Sequence, residues 1–68
     1  MRVTFDPVAD AVYIYLREIE RGGAVKTITV DEALINLDFD KEGRLIGIEV
    51  LQATDTLPDE VLKRAERV

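Results

Sequence analysis

The 68-residue sequence contains no cysteine, no histidine, no serine and no tryptophan. Without cysteine there are no disulfides, zinc–thiolate sites or iron–sulfur clusters. Without histidine the chain lacks the commonest metal ligand and the usual general base near neutral pH. A domain this short buries only about 60% of the surface of its unfolded chain, and small folds make up the deficit with disulfides, metals or association. Association is the route the composition favours. One Asn (Asn36), one Gln (Gln52) and one Met complete a sparse set of thermolabile residues, as in thermophilic proteins.

Positive charge is also scarce. Nine Lys and Arg stand against fourteen Asp and Glu, a net charge of −5. The basic residues are scattered, which argues against nucleic acid as a ligand, because phosphate binding needs them clustered. An acidic chain suits a basic protein partner. No run approaches the roughly 20 apolar residues of a membrane span, and the first residues lack the layout of a signal peptide. The expectation is one cytoplasmic domain over 1–68 that binds neither membrane nor nucleic acid.

What the sequence has is period-two alternation. "RVTF" (2–5), "AVYIYLR" (11–17), "AVKTITV" (24–30), "LINLDF" (34–39) and "RLIGIEVL" (44–51) each read as a strand. Val3, Phe5, Val12, Ile14, Leu16, Ile28, Val30, Ile35, Leu37, Phe39, Ile46, Ile48 and Val50 fall on one face. Tyr13, Tyr15, Thr27, Thr29, Asn36, Asp38 and Glu49 fall on the other, with Arg17 near the tyrosines. Short links between successive strands suggest an antiparallel meander.

Residues that face each other across an antiparallel ladder share a face. Phe5 must therefore pair with Val12, which leaves "DPVAD" (6–10) in the connection. Pro7 presets a turn, and Asp6 and Asp10 bond local backbone. In the second hairpin, a three-residue loop with Asp40 facing Arg44 would set Asp38 beside Ile46. A four-residue loop with Gly43 left-handed avoids this and puts Leu37 opposite Ile46, Ile35 opposite Ile48 and Glu49 opposite Leu34. "REIERGGA" (17–24) reads as a longer loop.

The period changes in "TDTLPDEVLKRAERV" (54–68). Leu57, Val61, Leu62, Ala65 and Val68 form a helical stripe, with Thr56 as cap and Pro58 in the first turn. The predicted fold is α+β, a five-stranded antiparallel meander with one C-terminal helix on its apolar face. That helix covers about half of a sheet roughly 24 Å across. The bare remainder predicts a homodimer that buries it, by sheet packing or helix exchange.

The phrases "FDPVADAVYIYL", "DEALINLDFD" and "DKEGRLIGIEVL" together resemble a family known as domain of unknown function 2283, over residues 2–53. Phe5 and Val8 depart from it, standing where the family often has tyrosine and glutamate. The loss of a carboxylate at position 8 weakens a metal reading of the acidic phrase. The family transfers no activity. What the resemblance implies is an accessory or antitoxin-like role.

Three functions compete. The first is a non-enzymatic, dimeric module that binds a protein through Tyr13, Tyr15, Asn36, Asp38 and Glu49. The second is an enzyme using magnesium, calcium or manganese on Asp6, Asp10, Asp38, Asp40 or Glu49. The third is a small-ligand binder at the dimer seam. No nucleophile has a base beside it and no Gly-rich phosphate loop is present, so the expectation is the first, with no catalytic, metal or cofactor residues.

Overall fold

The computed structural model describes residues 1–32 and 34–68; Ala33, inside the tight connection read at 30–34, lies outside them. The elements in chain order are β1 (Arg2–Asp6), β2 (Ala11–Tyr15), β3 (Lys26–Val30), β4 (Ile35–Phe39), β5 (Leu45–Leu51), α1 (Ala53–Thr56), α2 (Asp59–Arg64) and β6 (Glu66–Arg67). The fold is α+β, and all five expected strands form.

Their order in the sheet is β3-β4-β5-β2-β1-β6, so the meander expectation needs correction. β1 and β2 form one hairpin and β3, β4 and β5 a short meander; β5 then docks against β2. The chain leaves β2 and crosses three strand spacings, roughly 14 Å, to start β3 at the far edge. Residues 16–25 are long enough to span that distance, which is the physical use of the "REIERGGA" segment. Arg17 fastens the start of this crossing to the β4–β5 hairpin through Asp40, at 2.8 Å.

Alternation assembles two apolar rows across the sheet. One runs Val3, Ile14, Ile48, Leu37, Ile28; the other runs Phe5, Val12, Val50, Ile35, Val30. The expected Phe5–Val12 pair is present. The β4–β5 register is not the expected one. Asp40 does face Arg44, closing a three-residue loop in which Gly43 is left-handed (φ 81°). Phe39 then faces Leu45, and Asp38 faces Gly47. Ile46 is the extra residue of a β-bulge, and the bulge resets parity so that Asp38 stays on the polar face. Leu37 accordingly pairs with Ile48, Ile35 with Val50, and Glu49 with Asn36 rather than Leu34. The buried Ile46 side chain helps fill the core.

The C-terminal segment is two short helices rather than one. Leu57 precedes Pro58, whose ring disfavours a helical conformation before it, and Leu57 is extended (φ −110°, ψ 151°). Thr56 therefore closes α1 instead of capping α2; its hydroxyl donates to Gln52 O at 2.9 Å, and Pro58 takes the cap position of α2. The helix does not reach Val68. Ala65 turns extended, and β6 lies parallel to β1 and extends the sheet at that edge. Phe5, Val12, Val50 and Ala53 form the core, packed by Leu57, Leu62 and Ala65 from above. The helices thus cover β1, β2 and β5. Ile28 and Val30 on β3 remain 39% exposed.

Candidate functional site

The polar face is built by the same register. Tyr15, Gly47, Asp38 and Thr27 follow one another in one row, and Tyr13, Glu49, Asn36 and Thr29 in the next. All five residues expected to form a partner-binding face, Tyr13, Tyr15, Asn36, Asp38 and Glu49, therefore come together on one side, and each is partly buried by its neighbours.

They are bonded to one another. Tyr13 Oη donates to Asp38 Oδ2 at 2.5 Å, and Thr27 Oγ1 donates to Asp38 Oδ1 at 2.6 Å. Thr29 Oγ1 donates to Asn36 Oδ1 at 2.8 Å, and Asn36 Nδ2 donates to Glu49 Oε1 at 3.1 Å. The Tyr13 and Tyr15 rings meet at 4.6 Å between centroids, tilted by 51°. Arg2, not Arg17, lies over Tyr15, 5.2 Å from the ring centre, while its Nε donates to Glu66 at 3.0 Å.

Gly47 makes the Tyr13 reach possible. A Cβ there would come within 2.1 Å of the Tyr13 hydroxyl oxygen and 2.7 Å of the ring carbon that carries it. The phenol passes over a position with no side chain to meet Asp38 two strands away. Burial, then the hydrogen bond to Asp38, raises the Tyr13 pKa above the ordinary phenol value, so the proton stays on Tyr13. Sequence alternation put Tyr13 and Asp38 on one face. The missing side chain of Gly47 was the available signal that they touch.

The other carboxylates have structural work. Asp6 Oδ1 accepts from the Val8 and Ala9 amides at 3.0 and 3.2 Å, an Asx turn around Pro7. Asp10 reaches further along the chain. Its Oδ1 accepts from Thr54 N at 3.0 Å, its Oδ2 from Thr54 Oγ1 at 2.8 Å, and its carbonyl from Ala53 N at 2.9 Å. Asp10 caps α1 from a loop more than 40 positions earlier. Asp40, buried, accepts from the Arg44 and Glu42 amides at 2.9 Å each and from Arg17 at 2.8 Å. The Arg44 amide foremost, helped by the Glu42 amide and the Arg17 charge, holds the Asp40 carboxyl below the ordinary carboxylate range despite burial.

Among the described residues no three acidic side chains gather where they could hold a metal ion. A shallow hollow of about 550 Å³ opens beside Met1, Arg2, Tyr15 and Arg17, but its two cations already engage Glu66 and Asp40. Among the described residues no helix is long and apolar enough to cross a membrane.

The chain belongs to the family described as Protein of unknown function (DUF2283), whose model matches residues 2–53. The match includes the Asx turn, all five long strands and the whole polar network, and ends at the first residue of α1. No curated protein and no solved structure matches the chain.

Proposed function

We propose that this chain is a non-enzymatic binding module that acts in the cytoplasm as a homodimer and offers its polar sheet face to a basic protein partner, in an accessory or antitoxin-like role. The observation that carries this reading is the interlocked set Tyr13, Tyr15, Asn36, Asp38 and Glu49. Side chains already held by mutual hydrogen bonds lose little freedom on binding. Tyrosines add contact area with few rotors. Asp38 takes its bonds from hydroxyls and Glu49 takes one from an amide, neutral donors rather than cations, on a chain of net −5. The carboxylates of Asp6, Asp10 and Asp40 are occupied with backbone amides, which weighs against carboxylate catalysis.

The test is affinity capture from a lysate of the native host with immobilised wild-type, Tyr15→Ala and Glu49→Lys chains, at low and high salt. The expected result is one basic protein held by the wild type at low salt and released by either substitution. No captured protein, an acidic one, or capture indifferent to both substitutions overturns the proposal.

A further inference from the structure

We infer that the uncovered half of the apolar face, on β3 and β4, seats a second copy of this chain packed face to face. The inference rests on the homodimer reading and adds which strands form the seam and that the two copies meet sheet face to sheet face. Ile28, Val30, Ile35 and Leu37 continue the two apolar rows beyond the part covered by the helices, and Phe39 stands beside them between Lys26 and Leu45. They project from the face opposite the polar network, so the dimer leaves both copies' Tyr13–Asp38 faces open to partners.

Surface area identifies the occupant. The chain exposes 4898 Å², whereas monomeric proteins of its 7.7 kDa mass expose about 4,300 Å². The excess, roughly 600 Å², is near the 800 Å² per partner of a standard interface. Layer heights also agree. A helix stands about 10–12 Å thick on the sheet that it covers, and two sheets pack about 10 Å apart. The bare half of one copy therefore fits into the layer that the helices of the other occupy, beside them.

A competing dimer would join two β3 edges into one sheet. Leu51 N donates to Leu34 O. Alternation then directs residues 34, 36 and 38 toward β5 and residues 35, 37 and 39 toward β3. Thr27 and Thr29 are left with their N–H and C=O groups turned to the open edge. Pairing there would satisfy those groups but would leave the apolar side chains in water, which is why the face is preferred.

The test is sedimentation equilibrium over a dilution series of the full chain, with Ile28→Lys and Thr29→Pro beside the wild type. Both positions are exposed on an edge strand, and far-ultraviolet circular dichroism checks that each variant folds. The expected wild type is a dimer. Ile28→Lys places a charge in the seam twice and raises the dissociation constant by about 100-fold or more. Thr29→Pro removes an outward N–H and the hydroxyl's bond to Asn36 on the opposite, polar face, and leaves the dimer intact. A wild type monomeric at every concentration overturns both this inference and the homodimer reading. A dimer that survives Ile28→Lys, or is lost with Thr29→Pro, overturns the face-to-face arrangement and leaves the homodimer reading standing.

Discussion

Val12 and Val30 lie in the same apolar row of one sheet, yet Val12 is 0% exposed and Val30 39%. Both sit in alternating strands of comparable length, and nothing in either strand's own pattern tells them apart. The difference comes from what lies above. Leu57, Leu62 and Ala65 of the C-terminal segment close over Val12, and β3 is exposed throughout. Alternation fixes which way a side chain points; burial depends on a cover that another part of the chain supplies. The covered half is a core, and the bare half has the composition of a core without its cover.

The sharpest test of that contrast makes one truncation in both halves. Val12→Ala removes two methyl groups from a sealed position and costs about 2–3 kcal/mol. Val30→Ala costs less than about 1 kcal/mol when urea midpoints are read at concentrations where further dilution changes nothing. Equal costs would mean that the two halves are packed alike.

The cover itself hangs on Asp10, which holds the start of α1 and sits at φ 53°. Asp10→Ala loses the cap, worth about 1 kcal/mol, and adds roughly another for alanine in the left-handed region. Asp10→Asn keeps an acceptor and a residue suited to that region, so it recovers most of the loss in thermal unfolding. If alanine and asparagine destabilise equally, the cap contributes little.

These cases mark how far the sequence could be read. Facing was legible: Phe5–Val12, the inward isoleucines and the five polar-face residues all follow from a period of two. Neighbour order was not, because residues 16–25 can reach either a near or a far position and the docking of β5 on β2 is a long-range choice. Counting parity assumed a regular ladder, and the bulge at Ile46 broke that assumption while preserving its purpose. Asp10 looked like half of a turn because its partner, Thr54, is distant in sequence. Glu66 and Arg67 read as the end of a helix, but Ala65 is extended and the two residues pair with β1.

The polar face bridges the two halves, since Tyr13 is on β2 and Asp38 on β4. Gly47→Ala drives the phenol off Asp38 and costs about 1–2 kcal/mol; in a Tyr13→Ala background the same change costs nothing, the signature of a coupled pair. An equal cost in both backgrounds would break the coupling. Burial of the phenol, together with the same bond, has an alkaline signature. The Tyr13 pKa is raised in the folded chain, so folded Tyr13 keeps a proton that the unfolded chain releases. Its contribution is whole below about pH 10 and is lost as pH rises toward the folded value. In a Tyr15→Phe chain, tyrosinate absorbance therefore appears above the ordinary phenol range, and Gly47→Ala brings it back down.

The smallest effect belongs to the turn that joins the two bare strands. Asp31 and Glu32 both have positive φ, 51° and 54°, and the turn closes with Leu34 N donating to Asp31 O at 3.0 Å. Left-handed backbone costs a residue with a Cβ about 1 kcal/mol, less for aspartate, whose short side chain bonds locally. Glycine removes that cost and gives back part of it as entropy in the unfolded chain. Glu32→Gly should therefore stabilise the fold by about 0.5 kcal/mol, and Asp31→Gly by less. Both gains should appear in urea unfolding without any change in oligomeric state, because the turn lies beyond the strand face that the second copy covers. A loss of dimer with Glu32→Gly would instead place the turn inside the seam and would extend the interface to the end of the β3–β4 hairpin.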